Sequence, residues 1–202
     1  MNPVRRWLQI FSIAWLLFLA IAARAQAPAP KVTVHLDPEK TEIHWTLHDV
    51  LHTVHGTFKL KGGLMTFNPD TGAAEGEFLV DVTTGESGNG TRDGKMQNEV
   101  LESRKYPKAF FHPVRVSGGV KAGSVQNVTV EGTLNIHGAD HPLTLRVAVQ
   151  VQGMEATATT HFTIPYVAWG MKDESTFLLK VDKEVTVDIV GRGTMEGLPA
   201  DK

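Results

Sequence analysis

The sequence predicts an all-β protein of about eight antiparallel strands with one short helix near residues 92–103 at one end of the strands. Three observations predict it. Apolar and polar residues alternate with a period of two along most of the chain after residue 40. Clusters of Gly, Pro, Asn, Asp and Ser interrupt the alternation at short intervals, so successive strands pair most simply with one another. A single stretch, "NGTRDGKMQNEVLESRKYP" (89–107), changes to helical spacing.

The elements follow in chain order. Residues 1–25 have the parts of a secretory signal peptide: Arg5 and Arg6, an apolar run ending in "WLLFLAIAA", and the small-x-small site Ala23-Arg24-Ala25. The run is short for a membrane span, which needs ~20 apolar residues. "QAPAPK" (26–31) reads as an extended Pro/Ala tether. The folded domain is expected over 32–192, with a C-terminal tail over 193–202.

Within the domain, "TEIHWTLH" sets Ile43, Trp45 and Leu47 on one face, and "TVHGTFKL" sets Val54, Phe58 and Leu60 on one face. After the turn "NPDTG" (68–72), "GEFLVDV" aligns Phe78, Val80 and Val82. The helix follows. Met96, Val100 and Leu101 have helical spacing, Asn89 or Thr91 supplies the N-cap, and Pro107 ends the segment. A strand containing Phe111 comes next, then the loop "SGGVKAG" (117–123).

"VQNVTVEGTLNIHG" aligns Val128, Val130, Leu134 and Ile136, with Gly132 in step. Beyond the turn "HGADHP" (137–142), "PLTLRVAVQV" aligns Leu143, Leu145, Val147, Val149 and Val151. "MEATATTHFTI" aligns Met154, Ala156, Ala158, Phe162 and Ile164, and "EVTVDIV" aligns Val185, Val187 and Ile189. Strands with one apolar face suit a closed barrel, which removes exposed edges, and they equally suit a two-sheet sandwich.

Composition excludes several functions. Loss of Arg5, Arg6 and Arg24 with the signal takes the basic count from 20 to 17 against 22 acidic residues. A net-acidic chain has no footprint for nucleic acid and no polybasic patch for anionic lipid. After signal cleavage no stable membrane insertion is expected. The chain has no cysteine, which excludes thiol catalysis, cysteine-ligated zinc and iron–sulfur clusters.

Catalytic residues are not expected. Glu99 and Glu102 stand three apart on the helix segment and read as a solvated face. Arg92-Asp93 reads as a helix-start and loop-fixing pair. Ser87 and Ser103 lack a nucleophile-elbow context.

The stretch "IHWTLHDVLHTVHG" (43–56) holds His44, His48, His52 and His55. On a helix they would form a metal-binding row. The alternation of Ile43, Trp45 and Leu47, resumed by Val54 and Phe58, makes the stretch two strands and a turn instead. His44 and His48 then stand ~13 Å apart along one strand, too far for one ion. His48 and His55 could face each other across the hairpin as a weak two-histidine surface site. His52 has the parity to meet a ligand head group at a barrel mouth.

Several phrases combine into a larger signal. They are Gly88-Asn89, Arg92-Asp93 and Lys105-Tyr106-Pro107, then Ile136-His137-Gly138 followed by Pro142-Leu143-Thr144-Leu145. Over about residues 32–192 the chain resembles the YceI-like family of lipocalin-like, exported bacterial proteins. It departs from that family's pattern at "VLES" before Lys105 and at Trp169-Gly170.

The resemblance implies an eight-stranded antiparallel, lipocalin-like barrel with an apolar tunnel and the helix at a barrel end. It implies an isoprenoid or similar amphiphilic lipid as partner, a quinone-like tail among them, with no cofactor and no chemistry. The location implied is periplasmic or secreted, in a Gram-negative-like bacterium, and a homodimer is allowed.

The inward strand positions name the expected tunnel wall: Trp45, Leu47, Phe58, Phe78, Val80, Leu134, Ile136, Leu145 and Phe162. Met96 and Leu101 would close one end, and Phe111 and Trp169 would narrow the wall. Gly56, Gly132, Ala156 and Ala158 are small inward residues that leave room, where a filled core would prefer bulk. The expected function is an exported, non-catalytic lipid carrier. The alternatives are a periplasmic metal-binding protein using the four histidines and a filled-core structural or stress-related interaction module.

Overall fold

Each strand has one apolar face and needs a partner on both edges, and the chain meets both needs by closing on itself. A computed structural model describes residues 30–198 except Leu178. The expected signal peptide (1–25), most of the expected tether (26–31) and the last residues of the expected tail lie outside the described residues.

The strands are β1 (Val32–Leu36), β2 (Glu42–His48), β3 (Thr53–Phe67), β4 (Ala74–Glu86), β5 (Lys108–Ser117), β6 (Val125–Ile136), β7 (Ala139–Gln152), β8 (Glu155–Ile164) and β9 (Val185–Glu196). Going round the sheet, β3, β2, β9, β8, β7, β6, β5 and β4 pair in turn, and β4 pairs again with β3. All pairs are antiparallel, so the result is a closed eight-stranded barrel.

The extra strand β1 lies in line with β2 and shares its place in the ring. It pairs β3 from Val32↔Phe67 to Leu36↔Gly63, and β9 from Thr33↔Glu196 to Leu36↔Gly193. The break between β1 and β2 is a turn closed by the Thr41 N–H donating to the Asp37 carbonyl at 3.0 Å. Arg192 braces this turn, donating to the Lys40 carbonyl at 3.0 Å and to Glu42 at 2.7 Å.

This pairing corrects the domain boundary. Residues 193–196 do not begin a tail; they continue β9, because β1 offers them an edge. The two backbones come so close that a Cβ at Gly193 would stand 1.9 Å from the His35 carbonyl oxygen.

The helix is shifted from its expected place. It comprises α1 (Gly90–Lys95) and a π-helical turn (Met96–Val100), so it begins and ends earlier than 92–103. Asn89 is the N-cap, accepting from the Thr91 and Arg92 N–H groups at 3.1 Å each. The end is early because Leu101 N–H bonds to Met96 O and Glu102 then turns left-handed (φ 44), reversing the chain.

Two turns also differ from expectation. His137 and Gly138 alone join β6 to β7, both with positive φ, and residues 139–142 already belong to β7. Met154 does not continue the inward face of β8; it sits in the two-residue link between β7 and β8 and is exposed.

Candidate functional site: the barrel cavity

The period-two faces converge on a cavity of about 810 Å³. One end is closed by apolar strand ends. Val32 and Val151 are fully buried there, and Phe67, Val116, Val128 and Met195 are buried beside them. The helix, the β2–β3 hairpin and the long β8–β9 connection gather at the other end. The charged lining residues and most of the other polar ones gather there too: His48, Asp49, Asn89, Thr91, Arg92, Lys95, Glu174 and Thr176, while Thr41 and Thr160 lie in the wall. The cavity therefore has an apolar floor and a polar mouth.

The sequence-predicted wall residues largely converge. Trp45, Leu47, Phe58, Phe78, Val80, Met96, Leu101, Phe111, Leu134, Ile136, Leu145 and Phe162 all line the cavity. Trp169 does not. The turn after β8 brings Tyr166 and Met171 inward, and leaves the Trp169 ring stacked on the His141 imidazole, 4.0 Å between centroids and 7° from parallel.

Small residues shape the wall in two ways. Ala156 and Ala158 face the cavity and leave it wide. Gly56 and Gly132 act differently from the expected vacancy, because aromatic rings lie over them. A Cβ at Gly56 would stand 2.3 Å from the Trp45 ring, and one at Gly132 would stand 2.6 Å from the Phe111 ring. Gly85 does the same under Phe58, at 2.4 Å. The glycines let large rings lie flat against the wall instead of filling the lumen.

Several lining residues carry no sequence signal. The register of β3 shifts between Leu60 and Gly62, which moves the inward face from even to odd positions. Met65 and Phe67 thereby join the wall. β1 contributes Val34 and Leu36, and the β8–β9 connection contributes Tyr166, Met171, Leu179 and Val181. The period-two signal ran out in both places: β1 is five residues long, and the connection has no alternation.

The histidines separate. His52 is not on the cavity wall; its ring is exposed and 3.6 Å from the Asp49 carboxylate. The hairpin residues that reach the mouth are His48 and Asp49. His48 and His55 are not opposite one another. Register places Thr53 across from His48 and Thr46 across from His55, and each histidine bonds that threonine at 2.9 and 3.0 Å respectively. Among the described residues no group of three or more His, Asp or Glu side chains is placed to hold a metal ion.

At the mouth, charged side chains join the helix to the β8–β9 connection. Lys172 pairs with Glu99 on the π-helical turn and with Glu174 at 3.0 Å, and Lys95 reaches Glu174 at 3.7 Å. The Lys172 ammonium holds the Glu99 carboxyl below the usual carboxylate range, and Glu99 and Glu174 together raise Lys172. Below them the Tyr166 hydroxyl donates to the Asp182 carbonyl at 3.0 Å, and burial pushes its pKa up to about 12.

The other end of the helix is fixed locally. Asp93 accepts the Ser87 N–H at 2.9 Å, and Arg92 donates to the Ser87 hydroxyl at 2.7 Å and to its carbonyl at 3.0 Å. Arg92 and Asp93 thus hold the loop before the helix. The arrangement as a whole can hold a long apolar chain with a polar group at the mouth.

Known proteins resemble this chain in sequence or in fold. The UPF0312 protein of Pseudomonas putida strain W619 is 26% identical over 140 residues, covering 67% of this chain and 70% of the relative. The crystal structure of Burkholderia cenocepacia BcnA superposes with a TM-score of 0.67 at 19% identity, covering 79% of this chain and 99% of that one. A polyisoprenoid binding domain from Saccharophagus degradans, implicated in plant cell wall breakdown, superposes with a TM-score of 0.65 at 17% identity, covering 82% and 98%. These structures share the fold. The family model described as YceI-like domain matches residues 35–192, most of the chain, and the chain belongs to that family.

Proposed function

We propose that the protein is an exported, non-catalytic carrier that holds an isoprenoid or similar amphiphilic lipid, such as one with a quinone-like tail, inside its barrel. The observation that carries this reading is the cavity of about 810 Å³, apolar along nearly all its length apart from the hydroxyls of Thr41 and Thr160, and charged only at its mouth. That volume lies in the range of small-molecule sites, roughly 300–1,000 Å³. Each ligand CH₂ removed from water contributes about 0.8 kcal/mol, so a chain of a few isoprene units binds without polar contacts along the tunnel. The mouth residues then suit a head group.

The polyisoprenoid binding domain of Saccharophagus degradans, with the same fold, supports the ligand class. Export rests on the signal features of residues 1–25, and it places the carrier in the periplasm or outside the cell. The non-catalytic reading rests on the mouth chemistry: Arg92 and Asp93 hold Ser87, and Glu99, Glu174, Lys95 and Lys172 hold one another.

Native mass spectrometry of protein purified from its source organism tests the reading. A lipid-sized adduct, released by organic solvent, is expected. A clean ligand-free mass from freshly isolated protein would overturn the carrier function. Cell fractionation with N-terminal sequencing tests export, and a mature chain starting at Gln26 is expected.

A further inference from the structure

We propose that the mouth of the barrel docks on a phospholipid bilayer through the tips of two loops, which present Val50, Leu51 and Phe177 to the lipid. The inference rests on the carrier reading, since a ligand too apolar to cross water must be loaded and released at a membrane.

The two loops are built as one rim. The β2–β3 hairpin tip (49–52) and the β8–β9 connection are joined by a bridge between Asp49 and Val181. The Val50 N–H donates to the Lys180 carbonyl at 3.2 Å, and the Asp182 N–H donates to the His48 carbonyl at 2.9 Å. Pairing in this antiparallel sense makes both tips project from the same end of the barrel. Their inner residues Asp49, Thr176, Leu179 and Val181 line the cavity. Their outer residues face solvent: Val50 is 63% exposed, Leu51 73% and Phe177 95%. Large apolar side chains at the open mouth of an apolar cavity are the arrangement that a bilayer surface would cover.

Local charge at the tips is balanced and does not oppose a phospholipid surface. The one carboxylate on the hairpin tip is turned inward. Asp49 accepts the Leu51 and His52 N–H groups at 2.7 and 2.8 Å, and its side chain is only 15% exposed. Glu174, the nearest acid of the other loop, is held by Lys95 and Lys172. The exposed polar groups beside the apolar tips are His52, Lys180 and, two positions on, Asp182, so the rim carries no excess of acid against phosphate head groups. Two loop tips are also too small for a stable protein interface, which buries about 800 Å² per partner.

The experiment is vesicle flotation of the full mature chain with liposomes of phosphatidylethanolamine and phosphatidylglycerol. The wild type is expected to float with the vesicles. The double variant Leu51→Ser/Phe177→Ser is expected to lower the bound-to-free ratio by about tenfold or more, because it removes two interfacial anchors. Val125→Ser/Met154→Ser changes two exposed apolar residues at the closed end and is expected to float like the wild type. A wild type that ignores the vesicles overturns docking, as does an equal loss in both double variants or none in the first. A protein that carries lipid but does not float overturns docking alone. One that floats but never carries lipid supports docking and overturns the carrier reading.

Discussion

Glu102 and His137 are the two non-glycine residues with left-handed backbone among the described residues, with φ of 44° and 54°, and their side chains meet at 2.8 Å. Glu102 follows the helix and His137 makes the β6–β7 turn, so the contact joins two strained reversals at the mouth end of the barrel. The His137 ring also packs on Tyr106, 4.6 Å between centroids.

The strain and the contacts make opposite contributions, and substitution separates them. His137→Ala loses both contacts and keeps a side chain in a left-handed conformation. His137→Gly loses the same contacts and relieves the backbone. The glycine variant is expected to be the more stable of the two by about 1 kcal/mol. Urea denaturation midpoints at an unchanged slope would show it, and an alanine variant at least as stable as the glycine variant would contradict the strain.

The glycines beneath aromatic rings give a second prediction. Gly56→Ala would put a methyl group 2.3 Å from both the Trp45 ring and the Glu86 carbonyl oxygen, and backbone cannot yield as a flexible side chain can. A loss of about 1–3 kcal/mol is expected, with altered Trp45 fluorescence. Gly62→Ala is the control, because nothing stands within 4 Å of its Cβ. It should be neutral or stabilising by up to about 1 kcal/mol.

The strands with strict alternation were legible, since each inward position from Phe78 to Val82, and from Val128 to Ile136, is decided by parity alone. Parity failed where the backbone departs from it. The shift at Leu60–Gly62 concealed Met65 and Phe67, and the irregular β8–β9 connection concealed Leu179 and Val181 while misplacing Trp169. The role of Gly56 was illegible for another reason: the ring over it belongs to Trp45, a partner on the neighbouring strand. The early end of the helix depended on a left-handed Glu102 that no propensity favours.

Tyr166 gives a pH prediction. Its pKa is raised to about 12 from a value near 10, so the folded state holds the proton more tightly than the unfolded chain. Its contribution to stability is therefore complete below about pH 10 and is lost as pH rises through about 12. With Tyr106→Phe, Tyr166 is the remaining tyrosine, and its phenolate absorbance should appear only at that alkaline limit. Tyr166→Phe should remove this dependence and cost about 1 kcal/mol, because the Asp182 carbonyl loses its donor.

The Lys172 pairs predict a local effect with little global one. All these side chains are substantially exposed except Glu174, so Lys172→Met should barely change the melting temperature. It should speed amide hydrogen exchange in residues 96–101 and 172–176, which the pairs join. Because Glu99 is held below the usual range, its contribution is present above the ordinary carboxylate pKa and is lost as pH falls. Acidification should reproduce the loss of protection in the wild type, measured relative to the slower intrinsic exchange at low pH, and add nothing further through Glu99 in the variant.

Occluding the lumen isolates the cavity itself. Ala158 lines the cavity midway along β8, with Ala156 and Thr160 as its neighbours on the same face. Ala158→Phe adds an aromatic ring to open space, so it does not meet the overpacking cost of a filled core. A melting temperature close to wild type is expected, together with a large loss of co-purified lipid in the native mass spectrum. In a filled-core module the same substitution would destabilise the protein by about 1–3 kcal/mol and would change no adduct. Full retention of a lipid adduct by the variant would place the ligand elsewhere than in the barrel.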